Sequence, residues 1–110
     1  QIIPGVAAMA NALSTSTSDI PPVRPLPARE GSEMQMFAHN TAAAVREGAR
    51  NAVVGAVDRA VEILQAEDYE PTTILTGGDA SRILNALYVA PIHRPNLVLQ
   101  GLAHMLESAQ

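Results

Sequence analysis

The residues best suited to chemistry form a short run, Thr76-Gly77-Gly78-Asp79, which follows a β-rich stretch and precedes an amphipathic one. This order predicts a strand, a tight turn and a helix start. Two glycines leave no Cβ atoms between the backbone and a ligand, and they permit a positive φ. Asp79 is expected to cap the helix, whose free N–H groups favour anions and polar ligand atoms. A purely structural turn would use the same residues, so both interpretations stay open at this point.

Several other chemistries are excluded by the composition. The chain has no cysteine, which removes disulfides, thiolate metal sites and cysteine nucleophiles and fits a reducing compartment. It has no lysine, and the glycine run lacks Walker A spacing, so a phosphate-binding loop of that type is excluded. His39, His93 and His104 do not have the spacing of zinc ligands. No G-x-S-x-G nucleophile elbow occurs either.

Charge and hydropathy narrow the class of partner. A formal charge of −4 and an aromatic content of 3% argue against a nucleic-acid surface, which needs basic and stacking side chains. No apolar run reaches the roughly 20 residues that span a bilayer, and residues 1–4 lack the pattern of a signal peptide. We therefore expect no membrane contact, no direct nucleic-acid binding and a cytoplasmic location. The apolar pair Ile2-Ile3 at the very beginning of the sequence predicts that the chain is a fragment whose preceding residues are missing.

Periodicity and turn residues predict one α/β domain with an aliphatic core. The expected elements are a helix over 4–14, an extended linker over 18–39, a long helix over 41–66, a strand over 72–76, a helix over 79–87, a brief strand over 88–90 and a helix over 96–108. Asn40 is the expected N-cap of the long helix. The last helix is expected to turn Leu99, Leu102, Met105 and Leu106 inward.

The long helix contains two glycines, Gly48 and Gly55, each of which costs about 1 kcal/mol of helix propensity relative to alanine. Such a cost predicts the close approach of another backbone, from a partner helix or a second subunit. Ordinary small-residue packing inside one domain would account for it equally well. Charged residues, Arg46 and Arg50 among them, are expected on the solvent side of this helix.

Four motifs, taken in order, resemble the C-terminal half of type III pantothenate kinases, a family that includes the Bvg accessory factor-like proteins. They are Ile3-Pro4-Gly5 before a Met/Leu helix, Asn40-Thr41 with Ala44 and Gly48, Leu75-Thr76-Gly77-Gly78-Asp79-Ala80, and Pro95-Asn96-Leu97-Val98-Leu99-Gln100-Gly101-Leu102. The resemblance covers essentially the whole chain. It implies a ribonuclease H-like domain of the acetate and sugar kinase/Hsp70/actin superfamily, incomplete and helix-rich in this chain.

The resemblance also implies an activity and a set of ligands. Members of the family are similar in transferring the γ-phosphate of ATP to the hydroxyl of pantothenate, the first committed step of coenzyme A biosynthesis. Such chemistry relies on positioning and on charge stabilisation through Mg²⁺. The family also implies a monovalent cation, K⁺ or NH4⁺, and a homodimer.

Individual residues also match positions that contact substrates in the family. Thr41 matches a threonine that contacts pantothenate near the dimer interface, and Thr76, Gly77 and Gly78 match the turn that faces the adenosine part of ATP. Gly5 matches a glycine near the interdomain cleft. The family's D-x-G-N-T, G-x-D-R and G-T-A-T-T segments do not occur in this sequence. No catalytic or metal-binding residue is therefore expected in this chain, which alone should be inactive and bind little.

Two positions depart from the family, and two other functions stay open. Ser16 and Ser18 stand where some members place basic or imidazole side chains near the substrate. One alternative function is a Bvg accessory factor-like regulator that acts on transcription indirectly. The other is a non-catalytic dimerisation domain built on the helix over 41–66.

Overall fold

The structure is a computed structural model that describes residues 1–16, 19–22 and 36–109. Most of the expected linker over 18–39 lies outside these ranges, and so does Ser18. The elements are α1 (Val6–Ser16), α2 (Thr41–Ala66), β1 (Ile74–Leu75), α3 (Ala80–Ile83), β2 (Ile92–His93) and α4 (Leu97–Ser108). The described part is thus helix-rich with a small sheet.

The core lies between α1 and α2, with one contribution from α3. Its buried members are Val6, Ala10, Val45, Ala49, Val54 and Ile83. Alanine and β-branched residues make up this set, as expected for the aliphatic core. Partly buried Met9, Val53 and Leu75 pack around it, so the first strand is attached to the helical core through Leu75.

Helix α1 is shifted relative to the predicted helix over 4–14. It begins after Pro4-Gly5 and continues to Ser16. The hydroxyls of Ser14 and Thr15 donate to carbonyl oxygens of the preceding turn, at 2.9 Å and 3.2 Å from that of Asn11. These hydroxyls therefore bond back onto the helix, which continues two residues beyond the predicted end at 14.

Helix α2 has the bounds expected from sequence, and both of its ends are closed by local hydrogen bonds. The Asn40 side chain accepts from the backbone N–H of Ala43 at 2.8 Å, as an N-cap does. At the other end Asp68 has a φ of 67°, and the N–H of Tyr69 donates to the carbonyl of Leu64 at 3.0 Å. This is a Schellman-type end with aspartate where glycine is usual.

The sheet consists of β1 and β2, which pair in parallel with Leu75 opposite His93. The N–H of Ile92 donates to the carbonyl of Thr73, and that of Arg94 to the carbonyl of Leu75, both at 2.8 Å. The strand predicted over 72–76 is therefore shorter. The strand predicted over 88–90 is wrong, because the residues that find a partner in β1 come after Pro91.

The helix in the connection between the two strands is also shorter than predicted. The helix expected over 79–87 ends at Ile83 and continues as turns. A tertiary contact holds this region, since the carboxylate of Asp58 accepts from the N–H of Tyr88 at 3.1 and 3.2 Å. The chain thus makes a β–α–β unit tied to the middle of α2.

Two burial predictions are wrong. Helix α4 exposes Leu99, Leu102, Met105 and Leu106, the last two to 68% and 69%, because none of its residues is buried against another element. Arg50, expected on the solvent side, is only 9% exposed, and its guanidinium lies 3.9 Å from the Glu47 carboxylate. Arg50 shares a helix face with the buried Val54, four residues further along α2.

Candidate functional site

The glycine run forms a tight turn directly after β1. Gly77 has a φ of 93°, a conformation that residues with a side chain rarely adopt. The N–H of Ala80 donates to the carbonyl of Gly77 at 3.3 Å, which closes the turn as α3 begins. Glycine at position 77 therefore has a sufficient explanation in the backbone itself.

Gly78 has no such explanation within the described part of the chain. Its φ is not in the left-handed region, and a Cβ built on it would meet no atom within 4 Å. The space around the Cβ position of Gly77 is equally open, and Thr76, Gly77 and Gly78 are all exposed. The turn thus presents bare backbone to an open surface.

Asp79 does not cap α3, which corrects the prediction from sequence. Its backbone is in the right-handed helical region, with φ −90° and ψ −5°, and its side chain makes no capping hydrogen bond. An N-cap needs an extended backbone to direct its side chain at the first N–H groups. The carboxylate of Asp79 instead accepts from the guanidinium of Arg82, and the two form an ion pair.

The turn lies against the start of α1. A Cβ on Gly5 would be 3.3 Å from a carboxylate oxygen of Asp79, which is closer than side-chain carbons normally approach. The Pro4-Gly5 and Gly77-Gly78 motifs, far apart in sequence, therefore meet through Asp79. Sequence reasoning missed this contact, because it assigned the carboxylate to the helix cap.

The parallel pairing of β1 and β2 places Arg94 at the same edge of the sheet as the glycine turn. Because the carboxyl ends of parallel strands share one edge, Thr76 leaves β1 where Arg94 leaves β2. Arg94 is exposed there. Arg94 was not predicted as a site residue because the second strand was predicted over 88–90, whereas a strand over Ile92–His93 places Arg94 at this edge.

Thr41 is positioned by the capped N-terminus of α2 and not by the sheet. It is the first residue of α2, exposed, and held next to the Asn40 cap. Within the described ranges no hydrogen bond or ion pair joins it to the glycine turn. The Asp58 contact to the β–α–β unit lies about 25 Å further along the axis of α2. Ser16 is exposed at the end of α1.

An open apolar groove of about 370 Å³ runs between α1 and α2. Its lining is Pro4, Ala8, Met9, Ala12, Leu13, Ala44, Val45, Gly48 and Ala49. Cβ atoms on Gly48 and Gly55 would meet nothing within 4 Å, so close packing inside the described chain does not account for these glycines.

Three ion pairs with i,i+3 spacing occur among the described residues. Arg59 and Glu62 form an exposed pair at 3.4 Å, with the same spacing as the pair of Asp79 and Arg82. The described ranges contain no group of three or more side chains of the metal-ligating types. In the same ranges, every helix is too short or too polar to cross a membrane.

A parallel strand, glycine turn and helix, with open space at the carboxyl edge of the strands, is an arrangement in which α/β proteins bind ligands. The sequence profile of the type III pantothenate kinase family matches residues 1–63. The chain therefore belongs to the type III pantothenate kinase family.

Curated relatives agree with this assignment. The chain is 37% identical over 105 residues to the type III pantothenate kinase of Alkalilimnicola ehrlichii, covering 94% of this chain and 40% of the relative. It is 42% identical over 103 residues to the one from Herminiimonas arsenicoxydans, covering 92% of this chain and 38% of the relative. The protein of that name from Nitrosococcus oceani is 37% identical over 105 residues, with 94% and 38% covered. The chain thus spans about two-fifths of the length of these relatives.

Proposed function

We propose that this chain is the C-terminal part of an ATP-dependent pantothenate kinase that acts in coenzyme A biosynthesis. Residues 1–110 would then be most of one ribonuclease H-like domain of the acetate and sugar kinase/Hsp70/actin superfamily. The β–α–β unit and the long α2 are compatible with such a domain. Membership of the family supports the kinase reaction. The glycine turn supports ATP binding as a part of that reaction that this chain would perform.

The observation that carries the proposal is the bare backbone at Gly78. Its φ is outside the left-handed region and no neighbour crowds it, so a ligand that approaches from the open side would account for the missing side chain. Thr76, Gly77 and Gly78 would contact the adenosine part of ATP at this edge. The Thr76 hydroxyl can donate and accept a hydrogen bond there, and the peptide groups of the glycines allow close approach.

Thr41 is the proposed pantothenate contact. Its hydroxyl stands exposed at the N-terminus of α2, where backbone N–H groups and the helix dipole favour a negatively charged group such as the carboxylate of pantothenate. In this proposal Thr41 contacts pantothenate and the glycine turn contacts ATP.

The remaining groups of the reaction are assigned outside this chain. ATP supplies the phosphoryl group, and bound Mg²⁺ with K⁺ or NH4⁺ supplies charge stabilisation. The described residues hold no cluster of metal-ligating side chains, and the sequence lacks the family's segment with the catalytic aspartate. The chain's own contribution is to bind and orient the two substrates. A cytoplasmic homodimer is the proposed form, with Gly48 and the apolar groove as the surface that a second subunit would cover.

The proposal is tested on the full-length protein that contains this chain. ADP release should require both ATP and pantothenate, in the presence of Mg²⁺ and K⁺. Thr41→Ala should raise the KM for pantothenate at least about tenfold and leave the KM for ATP unchanged, because a hydrogen bond to a charged group is worth about 1.5–3 kcal/mol. Thr72→Ala is the matched control, since Thr72 is exposed just before β1. Absence of ADP release from folded protein would contradict the activity. An unchanged pantothenate affinity in Thr41→Ala would contradict the site.

A further inference from the structure

Asp79 uses both oxygens of its carboxylate, one toward Arg82 and the other toward Gly5. The carboxylate of Asp79 is paired with Arg82, and the side chains are 47% and 26% exposed. The second oxygen of the same carboxylate lies 3.3 Å from where a Cβ of Gly5 would be. One oxygen is thus engaged by the guanidinium and the other is packed on the start of α1.

Two further observations indicate that this arrangement is held in place. The carboxylate is not used as the cap of α3, which is the usual task of an aspartate before a helix. The Nε atom of Arg82 is shielded from solvent and has no hydrogen-bond partner among the described residues. The terminal nitrogen of Arg82 meanwhile donates to Asp79, which holds the arginine beside the turn.

From this geometry we infer that Asp79 and Arg82 form a brace that fixes the glycine turn against Pro4-Gly5 and thereby sets the nucleotide-binding position of the turn. The inference rests on the proposed function, because it assigns the turn to ATP. Asp79 and Arg82 are positioning residues: they act through the backbone of Gly77 and Gly78, which lies immediately before Asp79. A Cβ at position 5 would require the Asp79 carboxylate, which is 47% exposed, to shift by a few tenths of an ångström, so Gly5 leaves room for the contact.

The brace predicts a selective effect on the nucleotide. In the full-length protein, Asp79→Ala and Arg82→Ala should each raise the KM for ATP about fivefold or more, while the KM for pantothenate stays within about twofold, since misplacement of a binding group weakens only the ligand it positions. Arg82→Lys should recover most of the loss, because it keeps the positive charge. The control is Arg59→Ala, which removes an exposed pair of the same i,i+3 spacing on α2.

Gly5→Ala tests the contact itself. Alone it should raise the KM for ATP by no more than Asp79→Ala does, because the added Cβ shifts the carboxylate by only a few tenths of an ångström. In the Asp79→Ala background it should have little further effect, because the atom that it would crowd is then absent. Additive effects of the two substitutions would overturn the inferred contact.

Equilibrium binding of a non-hydrolysable ATP analogue separates this inference from the proposed function. A wild-type protein that binds the analogue without turnover would refute the kinase activity, while selective weakening by Asp79→Ala would still support the brace. Equal losses of ATP and pantothenate affinity, or no loss of either, would refute the brace. Failure of the wild type to bind the analogue would refute both.

Discussion

The two adjacent glycines of the turn should respond in opposite ways to the same substitution. Gly77 has a φ of 93°, so alanine there must adopt a conformation that costs about 1–2 kcal/mol for a residue with a Cβ. Gly78 lies outside the left-handed region and has no atom within 4 Å of its Cβ position. Alanine at 78 should therefore fit without strain and stabilise the fold by about 0.4–1 kcal/mol, through the lower entropy of the unfolded chain.

The effects of the two substitutions on the KM for ATP should not parallel their effects on stability. Gly78→Ala places a methyl group on the open side from which ATP is proposed to approach, so it should raise the KM for ATP about tenfold or more although the protein becomes more stable. Gly77→Ala should destabilise the protein, and its effect on ATP should arise from displacement of the turn.

The assay is urea unfolding of both variants of the full-length protein, followed by steady-state kinetics with ATP varied at saturating pantothenate. A Gly78→Ala protein that is more stable and keeps the wild-type KM for ATP would refute the nucleotide-facing interpretation of the turn. A Gly77→Ala protein as stable as the wild type would refute the strain argument, because about 1–2 kcal/mol is readily resolved as a change in the unfolding midpoint.

Three further substitutions test other parts of the structure. Asn40→Ala should destabilise the protein by about 1 kcal/mol through loss of the cap bond to Ala43, whereas Asn96→Ala should cost less because Asn96 makes no such bond; urea midpoints compare the two. Asp68→Gly should stabilise the protein by up to about 1 kcal/mol in the same assay, since glycine adopts the φ of 67° without a Cβ penalty. Gly48→Leu should convert a sedimenting dimer to monomer if the α1–α2 groove is the subunit contact, and an unchanged sedimentation coefficient would locate that contact elsewhere.

Local signals in the sequence were sufficient for α2 and for the order of the strand, turn and helix. Asn40 supplies a capping side chain, and a long run of small and apolar residues follows it, so the start and extent of α2 depend on neighbours in sequence. The glycine pair is likewise a local signal, and the turn lies where it was expected.

Predictions that depended on distant partners were wrong. The second strand is recognised only by its pairing with β1, and two-residue strands have no periodicity of their own. Asp79 has the composition of a cap, yet its contacts to Arg82 and Gly5 are set by how α1 meets the turn. The edge residue Arg94 was missed for the same reason, since its place depends on the register of the sheet.

Helix α4 shows most clearly what a periodic pattern does and does not report. Leucine and methionine recur along it at helical spacing, which predicts a buried stripe. In the structure Val98, Met105 and Leu106 are each more than two-thirds exposed. The pattern records that a face is apolar, whereas burial also requires a neighbour, and the described residues supply none for α4. Since α1, α2 and α3 do bury part of their apolar residues against one another, the difference lies in the available partner and not in the pattern.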